Sequence, residues 1–233
     1  MGRQIKGLLY FFMTDIRYSL FIFWTILMSI LVVSLSISYV LKDMENGFMT
    51  LSLTGPIYVY CAILGFLTVK EAIPFSIKMG AIRKNLFVSL GIFFVGLSTV
   101  LAIVANIIQV IVELLNKKIG IDLYYFIHIT YFMDDTWLTR VIIDISIMFF
   151  FLSLLFTIGL LFYKYGLAGG GSVIGLLASI IIVGVAQGWL IDFFIQIFQG
   201  LDLLLFIQLF VIGFILYCLT FVLLRRITIL NVK

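Results

Sequence analysis

The sequence predicts an all-α membrane domain, a polytopic chain with six transmembrane helices and both termini in the cytoplasm. Three observations predict it. Hydrophobic residues make up 64% of the 233 and charged residues 11%, whereas soluble domains carry roughly 45–50% and 25%. The apolar residues gather into six runs, and a helix needs about 20 such residues to cross a hydrocarbon core about 30 Å thick. The basic residues gather between alternate runs, as they do when one face of the membrane is cytoplasmic. The runs are continuous and lack the period-two alternation of a barrel strand.

In chain order, residues 1–17 form an amphipathic leader. Ile5, Leu8, Leu9, Phe12 and Ile16 recur at helical spacing, and Arg3, Lys6 and Arg17 are placed to meet anionic headgroups. By itself the pattern reads as a simple lipid anchor at the membrane surface. The six spans follow within 18–224, at about Tyr18–Leu41, Leu51–Val69, Leu86–Val112, Val141–Tyr163, Leu167–Leu190 and Leu203–Leu224, and a basic tail occupies 225–233. The first run is too long for a signal-peptide core and lacks a small-x-small cleavage site, so it is expected to be retained. No internal repeat or low-complexity linker divides the chain, and one membrane domain is expected over 1–233.

Charge orients the spans. Arg3, Lys6, Arg17, Lys70, Lys78, Arg83, Lys84, Lys164, Arg225, Arg226 and Lys233 fall on one side. The other side receives Lys42, Lys117, Lys118 and Arg140 with most of the acids: Asp43, Glu45, Glu113, Asp122, Asp134, Asp135, Asp144, Asp192 and Asp202. The net charge of +4 is therefore explained by topology, and no basic stripe with interleaved aromatics points to nucleic acid.

Span cores carry amides and hydroxyls: Asn106, Gln109, Gln187, Gln208, Ser34, Ser36, Ser38, Ser98 and Thr99. They read as interhelical glue. Glu71 and Asp144 fall near span ends, where partial hydration makes a charge tolerable. Cys61 and Cys218 lie in apolar runs as packing residues, without a disulfide framework. The only histidine, His128, lies in DLYYFIHITYFMDDTW without an HExxH pattern or a second imidazole, so no metal site is expected. That loop's Tyr124, Tyr125, Phe126, Tyr131, Phe132 and Trp137 suggest an aromatic interfacial belt or a short surface helix. Asp134 and Asp135 lack a partner at acid–base spacing. No catalytic residue is expected.

GLAGGGSVIG, Gly166–Gly175, has no Lys-Ser/Thr pair and no preceding strand, which excludes a phosphate-binding loop. Gly171 with Gly175, continued by Ser179, and Gly184 with Gly188 instead offer close helix approach, within one subunit or between two. DFFIQIFQGLD, Asp192–Asp202, is short and amphipathic.

Between the second and third runs lies KEAIPFSIKMGAIRKNLFVS. Pro74 suits the first turn of a short helix and Gly80 the left-handed position that ends one. Phe75 and Met79 share a face. Lipid contact explains this segment as an isolated signal. The order Pro74-Phe75, Ile77-Lys78-Met79-Gly80, then Arg83-Lys84 and Phe87 also resembles the first cytoplasmic loop of ABC-2-type transporter permeases. The resemblance extends to the leader, the six spans and the basic tail, although Ile82 stands where many relatives have Ser or Thr.

The resemblance implies that this segment is a coupling helix docking on a separate cytosolic ATPase, with ATP and Mg bound there and no cofactor in this chain. It implies a second permease copy, identical or closely related, in a bacterial cell membrane. Export is the implied direction. An amphipathic peptide, toxin, hydrophobic antibiotic or lipid-like cargo suits span cores without compensation for ionic groups. An ATP-independent channel and a noncatalytic membrane scaffold or immunity protein are the alternatives.

Overall fold

The computed structural model describes residues 2–41, 49–119, 124–133 and 135–225. Lys42, Asp43, Glu45, Asp122, Asp134, Arg226 and Lys233 lie outside them. The described residues are mostly helical, and among them five helices are long and apolar enough to cross a membrane. Six separate spans were expected. The fourth and fifth runs form two helices that meet across a kink at Gly166.

α1 runs from Gly2 to Val40. Its buried residues Leu8, Phe12, Ile16, Leu27, Leu31, Ser34 and Ser38 form one stripe at steps of three and four, the helical period. The expected division into an in-plane leader and a first span is absent here. From Leu8 to Val40 the sequence holds neither glycine nor proline to break the helix. At 1.5 Å per residue, α1 is about 58 Å long, well beyond a hydrocarbon core of about 30 Å.

α2, Thr54–Lys70, passes through Glu71 into α3, Ala72–Lys78. Pro74 lies in the first turn of α3, and Gly80 has the expected positive φ of 79°. α4 follows from Arg83 to Ile119. Two strands, β1 (Met49–Leu51) and β2 (Tyr124–Phe126), pair in parallel beyond the helices. They are the departure from an all-α fold, and they join two loops through backbone hydrogen bonds that a turn alone would leave open.

α5 begins at Trp137, where the Thr136 hydroxyl accepts from the Thr139 amide, and continues to Ala186. It is interrupted at Gly166, with φ 67° and ψ −160°, a conformation essentially closed to residues with a Cβ. The first part of α5 is the centre of the fold. On one side Gly65 of α2 lies so close that a Cβ there would be 2.5 Å from the Leu152 carbonyl oxygen. On the other, Phe149 packs on Phe210 of α7, Leu203–Arg225, with centroids 4.8 Å apart. Phe94, Phe149, Phe156, Leu86, Leu90 and Ile57 are fully buried between α2, α4 and α5.

Beyond Gly166 the second part of α5 is largely exposed. A Cβ at Gly171 or Gly175 would meet nothing within 4 Å, and Ser179 bonds its own Gly175 carbonyl at 2.8 Å. This small-residue face is open within the single chain. The Gly184–Gly188 pair is corrected: Gly184 abuts Trp189, and Gly188 caps α6, Trp189–Gln199, at φ 80° beyond the end of α5. Cys218 is exposed, unlike buried Cys61.

Candidate functional site

The helices bring chemistry together at two ends. At the Pro74 end, α3 buries Ala72, Ile73 and Ser76 and turns Phe75 and Met79 outward, 47% and 56% exposed. This division follows from one turn of helix: residues 72, 73 and 76 share a face that the next residues cannot. Lys78, Gly80, Ile82 and Lys84 are also exposed, while Pro74, Ile77 and Arg83 are half-buried.

The start of α1 and the end of α7 both reach this region. Gln4 donates through Nε2 to the Gly80 carbonyl at 3.2 Å, and Asn85 donates to the Gln4 side-chain carbonyl. Phe11 stacks on Phe75 with centroids 4.7 Å apart and planes at 18°. Arg83 donates to the carbonyl of Arg225 at the end of α7. Arg3, Lys6 and Arg17 stand exposed along α1. The short helix α3, the start of α1, the start of α4 and the end of α7 are thus assembled at one end of the bundle.

At the opposite, His128 end, the loop from Tyr124 to Asp135 inserts a polar plug between the helices. His128 is 4% exposed and Asp144 of α5 is fully buried. His128 Nε2 lies 3.0 Å from Asp144 Oδ1. The Tyr58 hydroxyl of α2 donates to the same oxygen, and Asn106 Nδ2 of α4 donates to Oδ2 at 2.6 Å. Three donors from three places therefore converge on one carboxylate, as an acceptor-only ionised group requires.

The network continues outward. Thr130 N–H donates to His128 Nδ1 at 3.2 Å, and the Thr130 hydroxyl lies 2.9 Å from Nδ1 and donates to Asp135 Oδ1 at 2.8 Å. Arg140 donates from Nε to Asp135 at 2.5 Å, pairs with it again through Nη2, and reaches Glu113 at 3.2 Å. Arg140's hydrogen bonds hold the Asp135 carboxyl below its ordinary range. Burial pushes the Tyr124 phenol up, and Tyr124 accepts from Ser34 of α1 at 3.2 Å. Beside this network lies a cavity of about 480 Å³ walled by Gln109, Glu113, Asn116, Tyr124, His128 and Arg140.

Two expectations are corrected here. Asp144 is not a partly hydrated residue near a span end: it lies seven residues, about 10 Å, into α5, sealed by Tyr58, Asn106 and His128. The outer loop is not simply an aromatic belt, because Tyr124 and Phe126 are buried while Tyr125, Tyr131, Phe132 and Trp137 face outward. Sequence reading missed the His128–Asp144 pair. The signal was present in an aspartate inside an apolar run and a lone histidine, since an intramembrane ionisable residue marks function by default. What hid it is that 16 positions separate the partners.

Among the described residues no group of three or more His, Cys, Asp or Glu could hold a metal. The fold defines a class, a helical protein with several apolar, membrane-length helices. Compared with known proteins, the chain matches no family model, no curated protein and no solved structure.

Proposed function

We propose that the chain is the membrane subunit of an ATP-driven exporter, working with a separate cytosolic ATPase and a second permease copy on an amphipathic or hydrophobic cargo. The observation that carries this reading is the exposed apolar face of α3. Phe75 and Met79 project from a short helix whose opposite face is seated in the bundle, beside Lys78 and Lys84. A short helix anchored on one side and open on the other can transmit a push from a docked partner to α2 and α4, the two helices it joins. With six spans in each copy, nucleotide-driven closure of the ATPase would shift both elements together and bias the membrane assembly between two arrangements.

The stack of Phe75 of α3 on Phe11 of α1, the bond from Gln4 of α1 to the Gly80 carbonyl just after α3, and the bond from Arg83 of α4 to the last turn of α7 support the same reading, because movement of α3 is passed to its neighbours. Isolated from its native membrane, the wild-type chain should carry with it a subunit that hydrolyses MgATP. Phe75→Asp and Met79→Asp should release that subunit, or leave its turnover running without transport, in a chain that still folds. Wild-type preparations devoid of ATPase, or variants with unchanged assembly and transport, would overturn the proposal.

A further inference from the structure

We propose that His128 and Asp144 form a proton-binding site inside the bundle, loaded from the His128 end through Asp135 and Thr130. The distances describe a continuous relay. Asp135 Oδ1, on a carboxylate about one-third exposed, is 2.8 Å from the Thr130 hydroxyl, which is 2.9 Å from His128 Nδ1, and His128 Nε2 is 3.0 Å from Asp144 Oδ1. Thr130 is 1% exposed and Asp144 fully buried, so the relay leads from solvent to a sealed carboxylate.

The bonding fixes the starting state. Nδ1 accepts the Thr130 N–H, so the ring proton sits on Nε2 and is donated to Asp144. Loading proceeds by exchange of O–H and N–H bonds alone. A proton from water reaches Asp135 Oδ1, the Thr130 hydroxyl turns its own proton from Asp135 towards Nδ1 in place of the Thr130 N–H, and Asp135 then passes its proton to Thr130 Oγ1 as the hydroxyl's proton moves to Nδ1. The Nε2 proton can then pass to Asp144 Oδ1. The net change is one proton gained by the His128–Asp144 pair, and Asp135 and Thr130 end as they began. Arg140 keeps Asp135 ionised at neutral pH, so Asp135 hands the proton on rather than storing it.

The groups facing the pair are few. Tyr58 and Cys61 come from α2, Glu113 and Lys117 from α4, Arg140 from α5, and Asp135, Tyr124, Tyr125 and Tyr131 from the loop. α1 contributes the Ser34 hydroxyl through Tyr124, and α7 packs nearby through apolar Phe206. Because Tyr58, Asn106 and Asp144 belong to three helices, loading changes the junction of all three.

The chain's one histidine makes the test direct. Ring-nitrogen NMR of isotopically labelled histidine gives one pair of signals from the full chain in uniformly oriented proteoliposomes. Acidifying the face that carries Tyr131 and Phe132 should convert the Nε2-protonated neutral ring to a changed protonation state. Acidifying the Pro74 face should leave the signals in place. Thr130→Val, which keeps the shape and removes the hydroxyl, should abolish or greatly slow the one-sided response. A ring unresponsive to either face, a response from the Pro74 face, or an unchanged rate in Thr130→Val would overturn the site or its route. The wild-type measurement needs neither a folded variant nor a bound ATPase, so it stands or falls apart from the exporter reading.

Discussion

The two ends of the bundle are held by opposite means. At the Pro74 end the contacts are neutral amide hydrogen bonds from Gln4 and Asn85, a stacked Phe11–Phe75 pair, and one arginine on a helix-terminal carbonyl. The apolar face of α3 is left open. At the His128 end a buried carboxylate gathers donors from α2, α4 and the outer loop, and the aromatic side chains beneath it are covered. Neutral contacts at a half-exposed surface exchange readily with water. A buried charge stripped of its partners does not, because its desolvation is no longer offset. The difference teaches that the Pro74 end is joined by modest contacts with an apolar face left open, and the His128 end by a buried charge that needs its partners.

Substitutions can break this contrast. The largest effect is expected from Asp144→Ala, which leaves Tyr58, Asn106 and His128 facing each other without an acceptor. A loss of about 3 kcal/mol follows from stranding buried polar groups, read as reduced resistance to unfolding in detergent titrations. Asp144→Asn should recover part of it, since an amide oxygen can still accept. At the opposite end Asn85→Ala removes one link between α4 and α1, and about 1 kcal/mol is expected. Equal losses from Asp144→Ala and Asn85→Ala would erase the distinction between the ends.

Asp135→Asn should cost less than about 1 kcal/mol, because the pair with Arg140 is partly exposed and screened. Its sharper signature is in pH. Arg140 depresses the Asp135 carboxyl, so the stability this pair adds is present above the ordinary carboxylate range and lost as pH falls through the lowered value. Acid melting curves of the Asp135→Asn chain should therefore lack that component. The smallest effect on stability belongs to Met79→Asp, close to zero because more than half of that side chain is exposed. A large destabilisation by this variant would show that α3 is a core element rather than a docking face.

Much of the architecture was legible because hydropathy acts locally. The apolar runs became helices, Gly80 ended α3 in the left-handed region, and the basic residues from Lys70 to Lys84 gathered with the start of α1 and the end of α7. Other features required knowledge of neighbours. The break at Gly166 falls in the gap between the fourth and fifth runs, but no local signal showed that Gly171 and Gly175 would face open space while Gly65 met a backbone carbonyl. The leader's amphipathicity was visible, but whether it would part from the first span depended on a break that the chain does not contain.

The sequence by itself determined the solvent this protein folds in, the helices it can form and where its charges fall along the chain, because transfer free energy and helical period depend on residues close in sequence. Tertiary structure alone decided that His128 would reach Asp144 and that Tyr58 and Asn106 would complete the cage. Those partners come from separate elements, and a buried charge is assigned its companions only when the helices have closed around it.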